Sequence, residues 1–389
     1  MLIYNPHDPA IRDNPYPIYR RLRDEAPAYH NEDMGFWALT RYDDVMAAFR
    51  DSATYISSEG NFIDGSDKGL GYLIGMDPPE HTSFRKAMTP HFTMREIAKL
   101  EHFIRTLTTE KLDQIRGENS FDLVESFALA LPLSVISEIL GIPVELRSKF
   151  NKLAKQLTDR PAGSTDVPAE SLAAAMEMHQ MATELAIERR QNPKDDYITA
   201  LTQSEVTDGM ETWIMTDQQV AAQIVLLATA GYETTYGLIG AGAVALWQNP
   251  DQRRQLVGDP GLIPGAVEEM VRYDNPAPLE GRWSTRDVHI HGTTIPKNSR
   301  VMLINGAANR DERRYDDPNR FDIHRKVTRP MGFGFGIHLC LGAHLARLES
   351  RIAFEEFLKV FPDYEIDLAG AVRGTSTFRT YTQLPVTVG

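Results

Sequence analysis

Gly332-Phe333-Gly334-Phe335-Gly336-Ile337-His338-Leu339-Cys340-Leu341-Gly342-Ala343-His344-Leu345-Ala346-Arg347-Leu348-Glu349 decides how the rest of the chain is read. It holds the only cysteine among 389 residues. A glycine-rich segment enters the cysteine, and good helix formers leave it. Glycine lets backbone pass close to a ligand, which suits Gly336 and Gly342 to a flat group beside the sulfur. A helix expected from Leu341 to Val360 would aim its free N–H groups at the thiol and lower its pKa. Phe333 can shield the sulfur from water. A lone cysteine is most often a buried structural residue. The glycines and the phenylalanine around this one favour a metal ligand.

Outward from that stretch, composition narrows the class. Hydrophobic residues make up 42% and charged residues 24%, as in soluble globular proteins. A net charge of −13 argues against a nucleic-acid binder. One cysteine cannot close an internal disulfide, so nothing calls for an oxidising compartment. Met1-Leu2-Ile3-Tyr4-Asn5-Pro6-His7-Asp8 has neither the basic start nor the apolar core of a signal peptide. In the most apolar stretch, Val220–Trp247, Gln223, Glu233, Thr234 and Thr235 interrupt the run, so a buried helix is expected and not a membrane span. The expected location is the cytoplasm.

Periodicity and capping predict helices over Ile11–Glu25, Tyr42–Phe49, Thr93–Ile115, Leu123–Leu140, Val144–Leu157, Ala169–Arg190, Asp195–Thr202 and Pro264–Tyr273. The longest helix is capped by Thr216. Strands are expected at Ala28–His30, Phe36–Thr40, Val288–Ile290 and Val301–Ile304, with strand-like alternation in Ala371–Val388. Ser52–Asp77 reads as a long functional loop, a lid whose scattered apolar residues face an apolar ligand. Asp159–Pro168 reads as a breaker-rich loop. The expected fold is mainly α with a small β portion, as one domain over residues 1–389.

Three further constellations bear on chemistry. Ala230-Gly231-Tyr232-Glu233-Thr234-Thr235 places an acid and an alcohol in the middle of a buried helix. A threonine hydroxyl can bond the preceding turn there and bend the helix open. Glu269 and Arg272 share a helix face at i, i+3 and can pair. His81 and Arg85 share one at i, i+4 and suit a carboxylate ligand. His289 and His291 share a strand face but have no evident third metal ligand.

Phe333-x-x-Gly336-x-x-x-Cys340-x-Gly342 resembles the haem-binding loop of the cytochromes P450, the haem-thiolate monooxygenases. The other constellations occur in that family's order and spacing over nearly the whole chain. The resemblance implies the cytochrome P450 fold and haem b (iron protoporphyrin IX) with Cys340 as axial iron ligand, whose electron push favours O–O cleavage. It implies that Phe333, Gly336, Gly342 and Ala230 lie against the haem, and that His81, Arg85, Arg282 and His338 hold its propionates. Glu233 would relay protons and Thr234 would order hydrogen bonds to dioxygen. Glu269, Arg272 and Arg320 would form a buried structural ion network. By position, the substrate contacts resemble Phe62, Ile63 and Leu70 of the lid, Leu226 and Leu227, Pro278 and Leu279, and Phe378, with Glu280 a polar exception.

The implied reaction hydroxylates or epoxidises a hydrophobic small molecule such as a terpenoid, steroid or fatty acid. Dioxygen is the co-substrate. NAD(P)H would supply electrons indirectly, through a reductase and a ferredoxin or flavodoxin. Arg85, Lys86, Arg325, Lys326, Arg329 and Arg347 could form a local basic patch for such an acidic partner; no nucleic acid or membrane partner is implied. Glu233-Thr234 argues against a peroxide-using variant, which lacks that pair. A non-catalytic haem-thiolate sensor or carrier would need neither the pair nor an apolar lid.

Overall fold

The computed structural model describes residues 2–63, 65, 67–158, 167–374 and 377–388, so most of the expected Asp159–Pro168 loop lies outside the described residues. Helices dominate and the strands are short. The centre is the helix Asp217–Gln248. Thr216 opens it with a reciprocal capping box to Gln219. From Val220 to Leu246 its side chains are buried, apart from Thr229–Gly231 and Thr234. Small residues allow that burial: a Cβ on Gly242 would come within 2.6 Å of both Met270 and Phe354. The helices Ile263–Tyr273 and Ala343–Val360, which carry those two residues, therefore pack directly on the central one.

A five-stranded sheet lies to one side, in the order Ala28–Asn31, Phe36–Leu39, Arg300–Leu303, Glu280–Ser284, Tyr55–Ile56. Arg300–Leu303 runs parallel to Phe36–Leu39, and the other pairs are antiparallel. Glu280–Ser284 thus carries Arg282 into the interior between two neighbours. No described helix is long and apolar enough to cross a membrane.

Several boundaries differ from expectation. Ile11–Glu25 is two helices, Pro9–Asp13 and Tyr16–Glu25, because Pro15 has no N–H to continue the first. Thr93 does cap a helix, but Met94–Ala98 stops and Glu101–Ile115 starts anew. Leu123–Leu140 begins as the wide π turn Val124–Ala128 before the helix Ala130–Leu140. The helix after the cysteine starts at Ala343, with Gly342 as its cap, and not at Leu341. The strands Ser120–Asp122, Glu280–Ser284 and Thr293–Ile295 and the helix Pro250–Gly258 were not expected.

The ion network ties the central helices to the cysteine loop, with one member replaced. Arg272 and Glu269 form a two-pronged pair at 2.7 Å, both 0% exposed. Arg272 also donates to the carbonyls of Asn309, Pro318 and Arg320. Asn309 in turn accepts from the Met331 N–H at 2.7 Å, at the entrance to the cysteine loop. Arg320 contributes only its carbonyl. Its guanidinium is 64% exposed and pairs with Asp322 across a surface turn. The third side chain is Arg325, where the chain comes back inward. It reaches Glu269 at 3.3 Å and donates to the carbonyls of Asp316 and Asp317.

Two buried charges make testable stability claims. Arg272→Met strands Glu269 without its main partner and should cost about 3–5 kcal/mol in chemical denaturation. Arg320→Ala should stay within about 0.5 kcal/mol, and Arg325→Ala should fall between them. Glu349, on the Ala343–Val360 helix, is fully buried with no hydrogen-bond partner for either carboxylate oxygen among the described residues. Burial raises its pKa well above the ordinary glutamate value. The folded state then holds a proton that the unfolded chain releases first, so stability is lost as pH rises above about 4.3. Unfolding titrations should show Glu349→Gln gaining on the parent by up to about 1.4 kcal/mol per pH unit above that point. A constant difference would show that Glu349 is not held protonated.

Candidate active site

The cysteine loop is built from two single turns, Met331–Phe333 and Gly336–His338. The Cys340 N–H returns to the Phe333 carbonyl at 2.9 Å and closes the loop. Gly336 has φ +71°, and a side chain there would overlap the Phe49 carbonyl. Its glycine thus answers to a neighbouring strap of backbone. A Cβ on Gly342 would meet no protein atom within 4 Å. Phe333 is half-buried, with the Arg347 guanidinium 4.2 Å from its ring centre.

Cys340 is accessible to solvent and yet densely surrounded by protein, so it lines an internal cleft and not the outer surface. Burial raises its thiol pKa. The Gly342 amide, Arg85 and Arg347 pull it the other way, and Glu280 adds to the rise. The expected lowering by the helix terminus therefore survives as one amide and does not win. A cation at the sulfur would supply the missing stabilisation.

The four proposed carboxylate binders converge. His81 lies on the helix Glu80–Met88 and meets His338 with ring centres 4.2 Å apart. Arg282 and Arg85 lie within electrostatic reach of both imidazoles. Burial first, then Arg85, pushes the His81 pKa down to about 4. His338 is lowered further by burial and Arg282, and its Nε2 lies 3.2 Å from Ser57 Oγ. His81 is 2% exposed, and neither ring nitrogen has a hydrogen-bond partner among the described residues. Arg85 has no carboxylate partner among them either. Arg282 donates to Asn61 Oδ1 at 2.9 Å and reaches Glu280 at 3.3 Å. Orphaned imidazole nitrogens and an unpaired guanidinium beside a thiol fit an anionic group carrying a metal.

On the central helix the only accessible stretch between Val220 and Leu246 is Thr229–Gly231 with Thr234. Ala230 is exposed there, one turn from Thr234, whose hydroxyl donates to the Ala230 carbonyl at 3.1 Å. Thr229 bonds back in the same way to Val225 at 2.9 Å. The helix nevertheless runs unbroken, so the expected opening comes from side chains withdrawn around it. Gly231 serves packing, since a Cβ there would press on Ile136 at 3.0 Å. Glu233 is buried beside this window.

Not every expected pocket residue faces a cleft. Ile63 and Leu279 are absorbed into a separate apolar cluster with Tyr4, Tyr19 and Phe36, because the backbone at Asn61 is stitched to the sheet there. The Gly281 N–H donates to the Asn61 carbonyl at 2.7 Å. Leu226 and Leu227 are buried on the central helix, Pro278 is buried, Phe62 and Phe378 are half-buried, and Leu70 is 46% exposed. Glu280 accepts from Asn305 at 3.1 Å. The proposed basic patch is partly neutralised, because Arg325 serves Glu269 and Arg347 pairs with Glu268. His344 is exposed. His291 pairs with Asp44, His289 contacts Thr294, and no metal-binding cluster of histidine, cysteine and acids occurs among the described residues. Sequence reasoning missed Ser57, Arg325 and Glu349; only the repeated arginines Arg320 and Arg325 hinted at a choice.

The Cytochrome P450 family model matches residues 262–363. Over 392 residues the chain is 37% identical to vitamin D(3) 25-hydroxylase of Pseudonocardia autotrophica, covering 97% of this chain and 94% of that protein. It is 34% identical over 385 residues to polyketide biosynthesis cytochrome P450 PksS of Bacillus subtilis, covering 95% and 93%. The solved structure of Bacillus subtilis PksS superposes with a TM-score of 0.90 at 33% identity and covers both chains completely. Relatedness along the entire chain, joined to a cleft that gathers a thiol, two imidazoles and two guanidinium groups, has one reading: the chain belongs to the cytochrome P450 family of haem-iron monooxygenases.

Proposed function

We propose that this protein inserts one oxygen atom of dioxygen into a hydrophobic small molecule, at a C–H bond or an alkene. The other oxygen leaves as water, with two protons and two electrons taken up. The observation that carries the reading is the convergence of His81, His338, Arg85 and Arg282 beside Cys340. Cys340 would hold the iron of haem b through its sulfur, and those four residues would hold the propionates. When bound, the haem supplies the site at which dioxygen is reduced and cleaved. The chain supplies the rest. The Gly342 amide and Phe333 tune and shield the sulfur. Thr234 Oγ1, now donating to Ala230, can turn that bond into the cleft. Glu233, buried in the next position, is the candidate to deliver protons to it. NAD(P)H would act through a reductase and a ferredoxin or flavodoxin, in the cytoplasm.

The half-buried Phe62 and Phe378 and the apolar face at Leu226 and Leu227 support an apolar substrate. So do relatives named for vitamin D(3) and for polyketide biosynthesis. In the reduced protein under carbon monoxide, the long-wavelength haem band that names the family should appear. Cys340→Ser should abolish it, and a normal band in that variant would remove Cys340 as the ligand. Thr234→Ala should leave the band intact and lower product formed per NADPH about tenfold, with peroxide rising in proportion. Unchanged coupling would assign Thr234 to packing alone.

A further inference from the structure

The lid is held from below by one side chain of the central helix. Gln223 is fully buried, two turns before Ala230. Its Oε1 accepts from the Leu73 N–H at 3.1 Å, and its Nε2 donates to the Gly71 carbonyl at 2.8 Å. Gly71 has φ +68°, and a Cβ there would sit 3.9 Å from Ala222, so lid backbone lies directly on the helix. Leu73 and Met76 are buried on the far side of this contact, whereas Leu70 just before it is exposed. An amide is the side chain that offers one donor and one acceptor in a plane. Leucine offers neither, and a carboxylate offers only acceptors.

Among the described residues, the other hydrogen bonds of this loop are internal, reach the sheet, or, from Ser57, reach His338 of the cysteine loop. Asp67 accepts from the Asn61 and Phe62 N–H groups, and Asp77 accepts from those of Ser57 and Ser58. They shape the loop without fixing its height over the central helix. Among the described residues, the Gln223 amide is the hydrogen-bonded tie between this loop and the helix that carries Ala230 and Thr234, beside the apolar packing of Leu73 and Met76.

Resting on the reading of residues 52–77 as a lid over the substrate cleft, we propose that Gln223 is a positioning residue that sets how closely the lid covers the cleft. It thereby sets how fast bulky ligands enter and leave. The test uses the haem-loaded protein, two nitrogen ligands of different size, imidazole and phenylimidazole, and hydrogen exchange of lid amides. Gln223→Leu should raise phenylimidazole association and dissociation rates roughly tenfold and speed exchange at Leu73, with imidazole rates within about twofold of the parent. Gln223→Glu keeps the acceptor, so it should protect Leu73 as the parent does, and it should speed phenylimidazole only at a pH high enough to ionise the buried carboxyl and remove its donor. Unchanged rates and exchange in Gln223→Leu would overturn the proposal. So would Leu73 exchange in Gln223→Glu as fast as full release allows, a result that stands even if the leucine variant does not fold. Failure of the underlying reading looks different: the parent itself would lack the carbon monoxide band, or would admit phenylimidazole as fast as imidazole.

Discussion

A helix buried along almost its whole length can present polar chemistry only where the packing around it opens. In the helix Asp217–Gln248 that window is Thr229–Gly231 with Thr234. Elsewhere Gly237 and Gly242 let its neighbours press in until a single added carbon would collide. Close packing and accessibility thus fall on different turns of one element. The same helix holds the backbone at Gly71 and Leu73 through Gln223, so the window, that loop and the core share a common frame.

Charge is distributed with the same economy. The chain is acidic overall, yet its interior gathers His81, His338, Arg85 and Arg282 around a thiol whose own pKa is raised by burial. A guanidinium with no carboxylate, as at Arg85, and a buried imidazole with no partner for either nitrogen, as at His81, are unfavourable among the described residues unless an anion joins them. The buried cluster around Arg272 is self-contained. Arg272 and Glu269 satisfy each other and hold three carbonyls of the returning chain. One of those, through Asn309, fixes where the cysteine loop begins. The Arg272 network has its partners within the chain, and the cluster around His81 leaves donors without one among the described residues.

Much of this was legible from local sequence. The cysteine loop, the acid and alcohol at Glu233 and Thr234, the Thr216 cap and the i, i+4 pair His81 and Arg85 are each written within a few residues. Where local signals competed, the structure decided. Arg320 and Arg325 are equally plausible partners for Glu269 by type and distance along the chain. Only the turn between them, which leaves Arg320 beside Asp322 in solvent, selects Arg325. Ile63 and Leu279 have the right apolar character for a pocket but are claimed by the cluster around Tyr4 and Tyr19. Glu349 gave no signal at all, since a glutamate in a good helix reads as a surface residue until its burial is known.

By itself the sequence determined the helical frame, the family and the candidate site residues to be placed, because periodicity, capping and short motifs depend on neighbours in the chain. Tertiary structure alone decided which cation completes the network, that Gly336 yields to the Phe49 carbonyl, that the thiol pKa is raised and that Gln223 bonds the backbone at Gly71 and Leu73. These depend on desolvation and on contacts between residues as far apart as Gly71 and Gln223, where no local rule applies.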